Sequence, residues 1–132
     1  MEERFSDLGR LRSGLARRAF LPPADVVHTD DPPVVTVVCD LAGVDPGEIR
    51  LAISEGVLTI AGVRRRPPVR IGHYQQVELD YGPFERHIPV GGDVAKEGAE
   101  ATYDRGLLTV RLPLERGPSA PVTVYIAVVR QP

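Results

Sequence analysis

Proline and glycine, 13 of each in 132 residues, cut this chain into short pieces; proline is about twice as frequent as usual and glycine about 1.4 times. No other feature constrains the fold as strongly. Proline lacks the amide hydrogen that a helix interior or a central strand requires, and glycine weakens both. Between the breaks, apolar residues recur with a period of two. Leu108, Val110 and Leu112 alternate with Thr109 and Arg111, and Ala101 and Tyr103 alternate with Glu100 and Thr102. That period puts one row of side chains on a core and the other in water. Asp104-Arg105-Gly106 supplies turn residues in the middle, and Pro113 ends the pairing. Ala101–Leu112 is therefore expected to be a hairpin closed by a short loop with a bulge.

The same pattern appears upstream. Ile49–Ser54 alternates, Glu55-Gly56 turns the chain, and Val57–Arg65 returns. "DVVHT", "VVTVVCDL" (Val34–Leu41) and "FERHIPV" (Phe84–Val90) add further strands. About eight short strands with glycine and proline between them predict an all-β chain, an antiparallel sandwich. Aromatic residues make up only 5% and tryptophan is absent, so branched aliphatics supply most of the packing.

Three segments stand outside this pattern. In residues 1–21, Phe5, Leu8, Leu11, Leu15 and Phe20 recur at amphipathic-helix spacing, and Leu21-Pro22-Pro23 ends the run. One short helix is marginal alone in water, so this arm has to dock on something. Arg66–Gly82 is long for a hairpin loop and contains the alternating stretch "HYQQVEL", a candidate lone strand that needs an edge to pair with. Beyond a linker at Gly117–Pro121, Val122, Val124, Ile126 and Val128 share one face of an extended tail. Such a stripe also has to lie on an edge, in its own subunit or another.

Charge and chemistry exclude several classes. The net charge is −2, which gives nucleic acid no positive footprint, and the basic clusters read as solvated faces. No apolar run approaches the length of a membrane span, and no secretory leader is legible, so a cytoplasmic protein is expected. Cys39, the sole cysteine, lies in an apolar strand and reads as a small buried hydrophobe. His28, His73 and His87 are isolated from one another, with no metal-ligand spacing. No nucleophile elbow or phosphate-cradling loop occurs, so neither catalytic residues nor a metal or other cofactor is expected.

Three motifs, in order over about residues 25–113, carry a resemblance. "VVTVVCDLAGVDPGEIRLAISEGVLTIAG", "YGPFERHIPV" and "ATYDRGLLTVRLP" are similar to the conserved segments of the small heat shock proteins, the α-crystallin domain family of bacterial type. Ala101, Gly106 and Leu108 fall on the fixed positions of the A-x-x-x-n-G-v-L signature. Arg105 stands where asparagine is usual, Leu107 where valine is usual, and Ala42 where proline precedes the glycine.

The resemblance implies an immunoglobulin-like sandwich over 24–114, an N-terminal arm over 1–23 that is short and helical or disordered, and a C-terminal extension over 115–132. It implies an ATP-independent holdase chaperone, not an enzyme. Its partners would be unfolded clients and further copies of itself, a homodimer that builds larger oligomers. Phe5, Leu8, Leu11, Leu15 and Phe20 become candidates for client contact. The 66–82 loop would carry a strand that swaps into the partner's sheet: Tyr74, Gln76, Val77 and Glu78 would meet the strand holding Val26 and Val27. Arg86 would lie at the dimer interface on a carboxylate; failing that, it is an exposed strand arginine. The tail would dock as an I-x-I-like anchor in a neighbouring dimer's groove, with Val122/Val124 or Val124/Ile126 as the docking pair. That groove would be lined by Leu51, Ile53, Ala99 and Ala101. Two other classes stay in view: a monomeric adaptor of the CS-domain kind, which lacks the loop strand and the tail anchor, and an enzyme built on a sandwich.

Overall fold

A computed structural model describes residues 20–115 and 123–131. Nine strands follow one another: β1 (Ala24–Thr29), β2 (Val34–Asp40), β3 (Arg50–Ser54), β4 (Val57–Arg64), β5 (Gly82–Pro89), β6 (Glu100–Asp104), β7 (Leu107–Pro113), β8 (Val124–Ile126) and β9 (Val128–Arg130). They form two sheets, one ordered β1-β2-β7-β6-β9 and the other β5-β4-β3-β8. All pairings are antiparallel except β6 with β9. The all-β sandwich expected from the alternation is the fold observed.

The inward rows are the apolar halves of that alternation. Val35, Val37, Cys39, Leu108, Val110, Leu112, Ala101 and Tyr103 come from the first sheet, and Leu51, Ile53, Leu58, Ile60, Phe84 and Ile88 from the second. Burying each of the larger aliphatic chains contributes about 1.5–3 kcal/mol of transfer free energy, so these rows dominate stability. A 3-10 turn, Pro46–Glu48, interrupts the connection from β2 to β3; the Asp45 carboxylate caps it by accepting from the Gly47 amide at 2.9 Å.

The Glu55-Gly56 turn is as expected, and the β6–β7 hairpin closes more tightly than the bulged loop expected for it. Ser54 pairs with Val57 and Asp104 with Leu107, leaving two-residue loops without a bulge. Glu55 and Gly56 have φ of 53° and 74°, and Arg105 and Gly106 have φ of 53° and 85°. Two successive positive φ values give a turn whose twist matches that of the strands it joins. Gly106 is required for a second reason: a Cβ there would lie 3.0 Å from Ala42 Cα. The Gly106 carbonyl also accepts from the Leu41 amide at 2.8 Å, so the turn seats the loop that follows β2.

Two other expectations change. Residues 74–79 form no strand; the chain from 65 to 81 runs without ladder pairing. Among the described residues, no strand of the same chain forms a ladder with this segment; the edge expected for it belongs to another subunit. The tail is not one extended stripe. It bends at Ala127, so that β8 pairs with β3 and β9 with β6.

Candidate functional site

The two lateral sides of the sandwich differ. On one, β3 and β6 are bridged by the tail. Val124 pairs with Ile53 and Ile126 with Leu51, while Val128 pairs with Ala101 and Arg130 with Tyr103. Ile126 is buried and Val124 and Val128 are half-buried against the core, whereas Tyr125 and Val129 point to solvent. The Gln131 amide donates to the Tyr103 carbonyl at 3.0 Å and extends the pairing. Along Leu51, Ile53 and Ala101, three of the four positions expected to line a groove, Ile126, Val124 and Val128 are paired in the single chain. Here the occupant is the chain's own tail, whereas a neighbour's tail was expected. Same-subunit docking is possible because the β3 and β6 edges are both free in the sandwich and one bend at Ala127 lets the tail serve the two. Val122 lies outside the described residues.

The opposite side is open. Strand β1 is the outer edge of the first sheet, and Asp25 to Thr29 are all exposed. Val26 and Val27 show 41% and 50% of their surface. A six-residue edge with apolar side chains and one unpaired row of backbone groups is a template for another strand. On the second sheet the corresponding edge is β5, whose inward row reads Phe84, Arg86, Ile88. Gly62, opposite Phe84, makes room for the ring: a Cβ on it would approach Phe84 Cζ to 2.9 Å.

The segment Phe20–Pro23 crosses this open side. Phe20 packs its ring edge-on against Phe84, with centroids 5.4 Å apart, and is only 6% exposed. The Pro22 carbonyl accepts from Arg86 Nη1, and the Pro23 carbonyl accepts from the Asp40 amide at 3.0 Å. Of the five residues expected to contact clients, Phe20 is therefore part of the sandwich's own core, because the gap between β1 and β5 would otherwise expose Phe84. Phe5, Leu8, Leu11 and Leu15 lie outside the described residues. Arg86 is neither on a carboxylate in the isolated chain nor fully exposed; it points inward, half-buried, and satisfies a backbone carbonyl.

The 65–81 loop sits beside this side. Val77 is buried at 7%, while Tyr74 is half-buried and Gln76, Glu78 and Leu79 are exposed. Ile71, at 94% exposure, stands out in water. Two arginines hold the loop. Arg64 Nε donates to the Asp80 carbonyl at 2.9 Å, and Arg66 Nη2 donates to the Leu79 carbonyl at 3.3 Å. Neither arginine stands out in the sequence, where both read as solvated charges; the only signal was their position directly before an over-long loop.

No group of three or more His, Cys, Asp or Glu side chains among the described residues is placed to hold a metal ion. His87 lies on an outer face, its Nε2–H donating to Glu85 at 2.6 Å while Nδ1 shares a 3.2 Å hydrogen bond with the Thr59 hydroxyl. Cys39 is fully buried; burial pushes its thiol up from 9.0 to about 11, with Arg86 pulling the other way and Asp40 adding to the rise. A thiol in that state is protonated and unreactive at neutral pH. What the arrangement offers is surface: a free strand edge, a loop beside it, and a groove that takes alternating apolar residues.

Comparison with known proteins agrees with this reading. The profile described as the Hsp20/alpha crystallin family matches residues 27–127, which takes in β8. The chain is 30% identical over 112 residues to the 22.0 kDa heat shock protein of Arabidopsis thaliana, covering 82% of this chain and 57% of that one. It is 33% identical over 103 residues to the 18 kDa heat shock protein of Streptomyces albus G, covering 76% and 70%. Among solved structures, heat shock protein 16.0 from Schizosaccharomyces pombe superposes with a TM-score of 0.66 at 27% identity, covering 76% of this chain and 96% of that one. The hspA structure from Xanthomonas axonopodis, at 24% identity and a TM-score of 0.67, shares the fold.

Proposed function

The chain belongs to the Hsp20/alpha-crystallin family of small heat shock proteins, and from that premise we propose that it is an ATP-independent holdase, which binds partly unfolded proteins and keeps them from aggregating. The observation that carries this reading is the open side of the sandwich. Among the described residues, a six-residue edge with two exposed valines bounds the first sheet at β1, and the long 65–81 loop forms no ladder with any strand. An edge strand and a segment outside the ladders in one chain are what two copies need to complete each other's sheets. In this reading Tyr74–Leu79 of one subunit runs along Val26–Thr29 of the other, and Arg86 faces that junction.

The tail is the second association element. Val124 and Ile126 fill two same-face positions against Leu51 and Ile53, and a second copy's tail would offer the same residues to the same groove. Exchange of one tail for another leaves every contact intact and changes only which chain supplies it, so its cost is low. Dimers linked by exchanged tails build the larger oligomers. Client contact falls to the N-terminal arm, with Phe5, Leu8, Leu11 and Leu15 as the apolar surface. The site of action is the cytoplasm.

The test is the light scattering of a heat-labile client, warmed with and without this protein in the absence of ATP, beside the protein's mass by size-exclusion light scattering. Suppressed aggregation with the mass of a dimer or several dimers is expected. A monomer that suppresses nothing rejects the proposal and favours an adaptor. Replacing residues 74–79 by a glycine-serine linker is expected to convert dimer to monomer.

A further inference from the structure

Arg64, the last residue of β4, lies where three distant parts of the chain meet. Its guanidinium carbon is 3.9 Å from the centre of the Phe20 ring and 5.0 Å from that of Tyr81. Nε and Nη2 both donate to the Asp80 carbonyl, and Nη1 donates to the Ala42 carbonyl at 3.3 Å. Arg66 continues the series, 4.4 Å from the Tyr81 ring and 5.2 Å from that of Tyr74. Rings and guanidinium groups therefore follow one another from Phe84 through Phe20, Arg64, Tyr81 and Arg66 to Tyr74. The first two belong to the sandwich and the N-terminal segment, and the last three to the 65–81 loop and its root.

We propose that Arg64 is a positioning residue that couples docking of the N-terminal segment to order in the 65–81 loop. A planar guanidinium is held by what covers its faces and by what its fixed fork of donors reaches. With Phe20 in place, one face is covered and the fork is aimed at Asp80. When Phe20 leaves, that face meets water, water competes for the donors, and the root of the loop loosens. The coupling is reciprocal: anything that fixes the loop also favours docked Phe20. Building on the proposed dimer, an ordered loop pairs with a partner at less entropic cost, so arm release and dimer loosening occur together. Heating would then free the arm and the sheet edge in one step.

The experiment is hydrogen exchange on the full-length chain with Phe20→Leu, Arg64→Lys and the double variant, following amides 66–80 and using β3 and β4 as an internal reference. Phe20→Leu keeps an apolar side chain in the core and removes only the ring face, so the fold survives. Each single variant is expected to speed exchange in 66–80 about fivefold, the factor that one partly desolvated cation–π contact implies. The double variant is expected to match Arg64→Lys alone. Unchanged loop exchange in Phe20→Leu, or full additivity in the double variant, overturns the proposal. The masses of the parent protein and of the 74–79 glycine-serine replacement, measured beside these variants, separate it from the dimer reading. Coupled exchange in a protein whose mass ignores the 74–79 replacement keeps the coupling and removes the loop from the dimer. Uncoupled exchange with dimer loss on that replacement does the reverse.

Discussion

Arg105 sits with φ of 53° in a turn where a side chain beyond Cβ gains nothing. The left-handed conformation costs an L-residue about 1–2 kcal/mol, and asparagine tolerates it better than most. The Arg105 side chain is 89% exposed, and its 3.8 Å approach to Asp104 is a surface pair of little value. Arg105→Asn is therefore expected to raise stability by about 0.5–1 kcal/mol, read as a higher urea midpoint at unchanged slope. Cys39 gives a second residue-scale prediction. Its folded value, about 11, lies above its ordinary 9.0, so the native state keeps a proton that the unfolded chain releases. Its contribution is full below pH 9 and is lost as pH rises through 11. The fall in urea midpoint between pH 8 and pH 10 should be smaller in Cys39→Ala than in the parent protein. At this scale the sequence already points to the burial of Cys39, Leu108 and Val110. Alternation also places Arg86 on the face of Phe84 and Ile88, but it does not name the Pro22 carbonyl that the side chain meets there, far away in the chain.

At the scale of elements, the hairpins are legible because each is local: alternation, a two-residue break, alternation again. The lone strand at 74–79 was also expected from alternation, yet in the single chain it does not form. Pairing is a property of two segments, and the sequence names only one. The tail shows the same limit. Its alternating valines and isoleucine announce an edge strand, but the bend at Ala127 arises because the edges it serves, β3 and β6, belong to different sheets. Removing residues 123–132 would uncover Leu51, Ile53 and Ala101. We expect that truncation to lower stability by about 2–4 kcal/mol, the burial of Ile126 with partial burial of Val124 and Val128, and to increase binding of an apolar dye. A peptide spanning the tail, added back, should reverse the dye signal. A truncated protein with unchanged stability would show that the groove gains nothing from its occupant.

For the whole molecule, the proposed association rests on the asymmetry between a sealed side and an open side. The sealed side releases its surface only when the tail leaves; the open side presents β1 in the single chain, as far as the described residues go. The same asymmetry decides where the arm ends and the sandwich begins. The proline pair at Pro22-Pro23 suggests a boundary there, but Phe20 is a core residue, so a truncation should stop before it. Deleting residues 1–19 is expected to keep the fold and the dimer while reducing suppression of client aggregation. Deleting 1–21 should in addition destabilise the sandwich by about 3–5 kcal/mol, the usual cost of removing a buried phenylalanine, measured by urea unfolding of the two truncations side by side. Full chaperone activity without residues 1–19 would reject the arm as the client surface.

The sequence by itself determined the strands, their inward faces, the two tight turns and the family, since each rests on residues close together in the chain or on motifs in a fixed order. The tertiary structure alone decided which edges stay free, that the tail seats on its own subunit, and that Phe20 and Arg64 meet the root of the 65–81 loop. Those are contacts between segments separated by tens of residues, and a pattern of period two says which way a side chain points but not what stands opposite it.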